Sequence, residues 1–162
     1  MRNLVAALAG LAILALVNFT IHTREQMLEH GRVVLLELAP VDPRSLMQGD
    51  YMALRFKVSD EAFGRTKKEL KDGRLVVALD QRGVASFRRF ADATAVAADE
   101  ALLRYRVRNA RPKFATNAFF FQEGQARQYE SARYGEFRVA PDGEMILTGL
   151  RGADLALLGT TR

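Results

Sequence analysis

The feature that most limits the fold is an uncharged apolar segment near the N-terminus, Leu4–Ile21. Ten of its eighteen residues are Leu, Val, Ile or Phe, and Asn18 is the one residue that clearly disfavours insertion into a bilayer. As a helix that rises about 1.5 Å per residue, it would span roughly 27 Å, close to the thickness of the hydrocarbon core of a bilayer. The segment therefore predicts one transmembrane helix.

A cleaved signal peptide is the competing interpretation of this segment. Such a peptide has a shorter apolar core and then small residues at a cleavage site, whereas VNFTIHTREQ follows here and offers no such site. We therefore expect an uncleaved anchor. Arg2 and the terminal amine favour a cytoplasmic N-terminus, although Arg24 lies just beyond the other end. The expected location is the bacterial inner membrane, crossed once, with the C-terminal domain in the periplasm.

The rest of the chain is long enough for one domain. With 162 residues, the protein is too short for two domains and an anchor. We divide it into an anchor with a helical extension, residues 1–31, and an extracytoplasmic β-rich domain, residues 32–162. Gly31 is the expected end of the helix, because glycine commonly follows a helix C-terminus.

Alternating and β-branched runs predict several strands in this domain. The predicted strands are Arg32–Ala39, Asp50–Val58, Arg74–Asp80, Ala85–Ala91, Leu102–Asn109, Asn117–Phe121, Tyr134–Ala140 and Glu144–Leu150. Helices are predicted from Ser59 or Asp60 to about Lys71, and over Gln122–Arg133. Two hairpins are predicted, Arg74–Asp80 with Ala85–Ala91 and Tyr134–Ala140 with Glu144–Leu150. Alternation places Met52, Leu54, Phe56 and Val58 on one face of a half-buried strand, and at least one of Phe119, Phe120 and Phe121 away from the core. Together these elements predict the α+β class: a transmembrane helix, then a small, mostly antiparallel β-rich barrel or sandwich with two or three short helices.

The most informative stretch is PVDPRSLMQGDYMALRF, from Pro40 to Phe56. Asp42 is a good helix cap and Pro43 suits a first helical position, so Arg44–Gln48 would form one helical turn that Gly49 ends. The stretch also resembles the motif of the GDYXXLXY family of membrane-anchored bacterial proteins. The residues that carry the resemblance are Asp42, Pro43 and Arg44 in the lead-in, then Gly49, Asp50, Tyr51, Leu54 and Phe56.

A second block of the chain resembles the same family. It comprises the aromatic run and glycine of FFFQEG, Phe119–Gly124, and then Tyr129 and Glu130. The resemblance covers the chain from about Leu35 to Gly149. One departure is that the last tyrosine of the motif is Phe56 here, so a hydroxyl at this position cannot be essential. The resemblance implies a single-anchor protein encoded beside a multi-spanning membrane protein. No enzymatic activity can be carried over from the family.

We expect the two blocks to form one patch that docks this membrane partner. Its residues would be Asp42, Pro43, Arg44, Gly49, Asp50, Tyr51, Leu54, Phe56, Phe121, Glu123, Gly124, Tyr129 and Glu130. The predicted function is that of an accessory protein without catalysis, cofactor or metal. Cysteine is absent, and both histidines flank the apolar segment, which argues against thiolate and zinc sites.

Two other classes of function remain open from the sequence. A cell-envelope hydrolase could use Asp50, Glu123 or Glu130 as acid and base, provided two of them lay roughly 5–10 Å apart in a cleft. The commoner use of such carboxylates is a helix cap, or for Glu130 an ion pair with Arg127 or Arg133.

An anionic lipid- or polyanion-binding module is the other open class. The net charge is +5, and alternation places Arg104, Arg106 and Arg108 on one face of a strand. A nucleic-acid partner is not expected, because it needs aromatics interleaved among the cations, and Tyr105 points to the opposite face.

Overall fold

The computed structural model describes residues 2–39, 47–48, 51–64, 71–91, 96–109 and 111–159. Within them the elements are α1 (Arg2–His30), β1 (Arg32–Glu37), β2 (Met47–Gln48), β3 (Tyr51–Ala53), α2 (Lys57–Phe63), β4 (Gly73–Leu79), β5 (Val84–Phe90), β6 (Glu100–Arg108), β7 (Arg111–Phe114), β8 (Ala118–Phe120), α3 (Ala126–Tyr129), β9 (Tyr134–Val139) and β10 (Met145–Arg151). The predicted α+β class is confirmed.

Helix α1 contains the whole apolar segment and continues to His30. By length and composition, its residues Asn3–His30 can cross a membrane. The large apolar side chains of Leu4–Ile21 are exposed rather than packed on the domain; Phe19, for example, is 71% exposed. Met27, nearer the end of the helix, is buried. The helix ends where the sequence predicts, because the Gly31 N–H donates to the Met27 carbonyl at 2.9 Å and strand β1 begins at the next residue.

The junction between α1 and the domain is held by two arginines. The Arg32 guanidinium donates to the carbonyl oxygens of Glu100 and Ala98, each at 2.7 Å. From β9, Arg138 Nη1 donates to the carbonyl of Gly31 at 3.1 Å. The end of the helix is thereby tied to two strands, so α1 and the domain meet in a defined geometry.

Seven strands form one sheet in the order β10-β9-β1-β5-β4-β6-β7, with β1 and β5 parallel and every other pair antiparallel. The two predicted hairpins, β4–β5 and β9–β10, are both present. The sheet curls until the turn of the second hairpin meets β6, where the Arg104 N–H donates to the Gly143 carbonyl at 2.9 Å. A nearly closed barrel results.

The inside of the barrel is filled by apolar side chains from most of its strands and by helix α2. Phe56 lies at the centre with 1% of its surface exposed. Its ring meets those of Phe114 and Phe137 edge-on, with centroids 6.2 and 5.4 Å away. Val58 and Ala62 of α2 are buried in the same cluster. Edge-to-face pairs add to the free energy gained from burying the rings, so this trio is a principal stabilising contact.

The structure corrects the predicted strand Asp50–Val58. Its strand β3 ends at Ala53, Phe56 makes an isolated bridge to Leu38, and α2 begins at Lys57. The predicted burial pattern nevertheless holds, since Met52, Leu54, Phe56 and Val58 are all buried. Alternation therefore predicted the buried face correctly, but not the point at which the backbone leaves the strand.

Other boundaries also differ from the predictions. Helix α2 begins two residues before Ser59 and ends at Phe63, and Gln48 lies in β2 rather than in a helical turn. The predicted helix Gln122–Arg133 is reduced to the four residues of α3, because Gly124 has a φ of +81° that a helix cannot contain. Strand β7 was missed, since a four-residue strand with a proline gives no clear pattern.

Glu100 is a carboxylate buried in the domain, with 4% of its surface exposed. Arg89 forms a double ion pair with it, the Ala97 N–H donates to it at 3.1 Å, and Arg88 Nε lies 3.2 Å away. The hydrogen bonds from Arg89, and then the one from Ala97, lower the pKa of Glu100 to about 2 from 4.5. A carboxylate with a depressed pKa stabilises the fold above its unfolded-state pKa.

We predict that Glu100→Gln lowers the stability of the protein at pH 7. The stability of the variant should also fall less than that of the native protein as the pH is lowered. In the native protein the contribution of Glu100 is fully present above pH 4.5 and is lost as the pH falls towards about 2. Thermal unfolding of the detergent-solubilised chain, followed by circular dichroism between pH 7 and pH 2, measures this. The control is Asp99→Asn, which removes an exposed partner of Arg88 and should change little. Parallel curves for the native and Glu100→Gln proteins would contradict the prediction.

Candidate functional site

The two sequence blocks come together in a second, three-stranded sheet of order β2-β3-β8. Strand β3 belongs to the first block and β8 to the second, and they pair antiparallel with Tyr51 opposite Phe120 and Met52 opposite Phe119. The Leu54 N–H extends the pairing with a 2.7 Å hydrogen bond to the Asn117 carbonyl. Residues far apart in the sequence are thus neighbours in one small sheet.

The outer face of this sheet is aromatic. Phe120 is 74% exposed, and the half-buried ring of Tyr51 leans on it with centroids 5.8 Å apart and planes at 40°. Because strand side chains alternate, the exposure of Phe120 follows from its neighbours Phe119 and Phe121 both facing the protein. The expectation that one of the three phenylalanines faces away from the core is confirmed.

The inner face of the sheet packs on the core. Phe119 and Phe121 lie on either side of the buried Tyr129 ring, with centroids 5.0 and 5.4 Å from it. Leu54 and Phe56 are buried as well. Three residues that the sequence assigned to the docking patch, Leu54, Phe56 and Tyr129, therefore support that surface from beneath and are not available for direct contact.

The carboxylates of the second block do not share a helix face. Glu123 lies in a turn before α3 and Glu130 directly after it, and both are exposed. Neither forms an ion pair with any residue that the structure describes, so the expected pair of Glu130 with Arg127 or Arg133 is wrong. The expected cap is also wrong for Glu123, because residue Gln125 precedes α3 and no side chain caps it. The two carboxylates are left in solvent.

Five residues of the expected patch, Asp42, Pro43, Arg44, Gly49 and Asp50, lie outside the described residues. The remaining members are Tyr51 on β3, Leu54 just after it, Phe56 in the barrel core, and Phe121, Glu123, Gly124, Tyr129 and Glu130 in the segment that follows β8. Within the described ranges, no three His, Asp or Glu side chains converge as metal ligands would.

A family model matches residues 13–150, which is most of the chain and includes both blocks. The chain belongs to the GDYXXLXY protein family. No curated protein and no solved structure shows significant similarity to it. The GDYXXLXY motif thus contributes a strand with an outward Tyr51 and an inward Leu54, and it ends at a core position that Phe56 occupies here.

A groove of about 430 Å³ lies beside this last motif position, and Phe56, Asn117 and Arg111 are among its lining residues. The Oδ1 atom of Asn117 is buried in the protein without a hydrogen-bond partner. A buried acceptor without a donor costs free energy. The family motif has tyrosine where this chain has Phe56, and Phe56 and Asn117 both line this groove.

We predict that Phe56→Tyr raises the free energy of unfolding by about 1 kcal/mol, on the hypothesis that the new hydroxyl donates to Asn117 Oδ1. Chemical denaturation of the detergent-solubilised chain measures the change. The control is the same substitution in an Asn117→Ala background, where the gain should vanish. An equal effect in both backgrounds would show that the hydroxyl acts without Asn117.

The arginine stripe lies on β6, well apart in sequence from both blocks. Arg104, Arg106 and Arg108 are exposed, and Leu103, Tyr105 and Val107 face inward, as alternation predicts. No local sequence pattern indicates the carboxylates that lie near these arginines. Glu144 pairs with Arg104 and lies 3.6 Å from Arg106, and Asp72 lies 3.8 Å from Arg108.

Proposed function

We propose that this chain is a membrane-anchored, extracytoplasmic accessory protein that docks a multi-spanning membrane protein through the face formed by β3 and β8. In this proposal α1 remains in the bacterial inner membrane and the β-rich domain lies in the periplasm. The domain recognises its partner by contact and carries out no reaction.

The observation that carries the proposal is the exposed Phe120, supported by Tyr51, on a sheet built from the two motif blocks. Exposing a large aromatic ring to water is unfavourable in free energy, and contact with another surface would remove that exposure. Aromatic side chains are also enriched at the centres of protein interfaces. Beneath the ring, Phe119, Phe121 and Tyr129 pack firmly together, so the face is ordered before binding.

The anchor supports a partner in the same membrane. Helix α1 exposes the large apolar side chains of Leu4–Ile21, and its C-terminal end is tied to the domain through Gly31 and Arg32. A domain held in this way stays beside the bilayer surface. The membrane proteins around it are therefore its most frequent neighbours.

Our prediction for the anchor is that the full chain resists alkaline extraction from membranes and that its domain is digested by protease added outside the inner membrane. The positive charge at Arg2 and the length of the apolar helix are the reasons. Immunoblotting of the extracted and protease-treated fractions measures both. A mature chain that begins after Thr23, or a domain that only cytoplasmic protease reaches, would contradict the proposal.

Our prediction for docking is that a photo-reactive phenylalanine analogue at position 120 cross-links in cells to one multi-spanning membrane protein. The same analogue at Val96, an apolar residue that is exposed on a loop away from the small sheet, is the matched control and should give no such product. Mass spectrometry identifies the partner.

A second arm tests whether the aromatic contact matters. With the analogue moved to Ala53, an exposed neighbour on β3, Phe120→Ala should reduce the cross-linked product about tenfold or more, as for other central aromatic residues of interfaces. The thermal midpoint should change little, because Phe120 is largely in solvent. A product of equal yield from position 96, or one unaffected by Phe120→Ala, would argue against docking at this face.

A further inference from the structure

Five cations line one groove of about 330 Å³ beside the membrane end of the domain. They are Arg24 of α1, Arg104, Arg106 and Arg108 of β6, and Lys113 of β7. The arginine stripe is therefore not an isolated strand face. It faces the helix that the apolar segment forms, and α1 supplies one of its positive charges.

The groove keeps an excess of positive charge after its ion pairs are considered. Glu144 is the carboxylate among the groove's lining residues, and it neutralises part of the charge of Arg104 and Arg106. Asp72 lies near Arg108 but also accepts a 2.6 Å hydrogen bond from the Val107 N–H. Arg24 and Lys113 have no ion-pair partner among the residues that the structure describes. An anion in the groove would meet cations from three elements, α1, β6 and β7.

A second groove, of about 680 Å³, adjoins the first and shares Arg24 and Glu144 with it. It runs between α1 and the β9–β10 turn. Its lining includes Phe19 and Thr20 of the apolar segment, and Pro141 of the turn. We call the two adjoining grooves the channel: the second is lined largely by apolar groups and the first by cations, and Asp142 and Glu144 are the carboxylates that line them.

The channel lies where the apolar segment ends. Phe19 and Thr20 are within that segment, which closes at Ile21. Arg24 follows three residues later, about 4.5 Å farther along the helix axis. That distance falls within the headgroup layer, so Phe19 and Thr20 are level with acyl chains and Arg24 is level with phosphates. The second groove continues past Arg24 along α1 to Gly31.

We propose that this channel binds one anionic phospholipid, with its phosphate among the five cations and an acyl chain along Phe19 beside the β9–β10 turn. The inference rests on the proposed membrane anchoring and goes beyond the proposed docking role. Arginine guanidinium groups bind phosphate oxygens through paired N–H donors, which suits a site with four of them. An acyl chain is the part of the ligand that accounts for the second groove, which a glycan or free phosphate would leave empty.

Native mass spectrometry of the full chain, released from nanodiscs of phosphatidylcholine mixed with phosphatidylglycerol, tests this site. The native protein should retain phosphatidylglycerol in preference to phosphatidylcholine. The triple variant Arg104→Gln, Arg106→Gln, Arg108→Gln should retain about tenfold less of it. The matched control removes three exposed charges outside both grooves, by Arg82→Gln, Arg127→Gln and Arg133→Gln, and should keep the preference.

Because two stripe arginines pair with Glu144, the triple variant could weaken the fold. The double variant Arg24→Gln, Lys113→Gln breaks no ion pair that the structure describes, and it should also lose the preference while its thermal midpoint stays unchanged. Inorganic phosphate at millimolar concentration tests the source of the anion. If it displaces the bound lipid with no dependence on acyl chains, the site is one for free phosphate and the proposal fails.

The remaining outcomes separate this inference from the anchoring on which it rests. Equal retention of both lipids by the native protein, or equal losses in the groove and control variants, would overturn the lipid site. Alkaline extraction of the same samples decides the other question. A chain that stays in the membrane but shows no lipid preference would contradict the lipid site alone. A chain that is extracted would contradict the proposed anchor.

Discussion

The arrangement of this protein depends on the junction at Gly31 and Arg32. A Cβ atom on residue 31 would lie 2.3 Å from the Met27 carbonyl oxygen and 3.2 Å from Cβ of Arg138, so only glycine lets the helix end this close to β9. Arg32 then fixes the first residue of the sheet to the start of β6. With both ends of the turn held, the apolar helix and the barrel take one relative orientation. In the proposed anchoring, that orientation would decide which faces of the domain are directed to the bilayer and which are free for other proteins.

Local signals in the sequence were sufficient for the helix and for both hairpins. An uncharged apolar run has few uses other than crossing a bilayer, and the two hairpin turns contain Gly83 and Gly143 with φ of +80° and +90°, values that other residues rarely adopt. The alternation over Leu103–Arg108 correctly separated inward from outward side chains, because one face of β6 is buried in the barrel. These features depend on nearest neighbours, which a single sequence contains.

Contacts between distant segments could not be predicted in the same way. The parallel pairing of β1 with β5 and the antiparallel pairing of β3 with β8 depend on which strands compete for each edge, and no local pattern encodes that choice. The same limit applies to the site. Arg24 was noted only for membrane topology, although it shares a groove with the arginines of β6. The observed strand β3 is also shorter than predicted and ends before Phe56, whose ring packs on Phe114 and Phe137, residues distant in the sequence.

A small aromatic face is enough for recognition if the protein and its partner share a membrane. Stable interfaces between freely diffusing proteins bury about 1,200–2,000 Å² in total. The face around Phe120 and Tyr51 is a narrow one, built on three short strands. Tethering converts the encounter into one at a high effective concentration, so modest intrinsic affinity gives high occupancy. A lipid bound between α1 and β6 would add to this effect by limiting rotation of the domain about its helix. The membrane thereby supplies much of the free energy that a soluble binding protein must obtain from a larger surface.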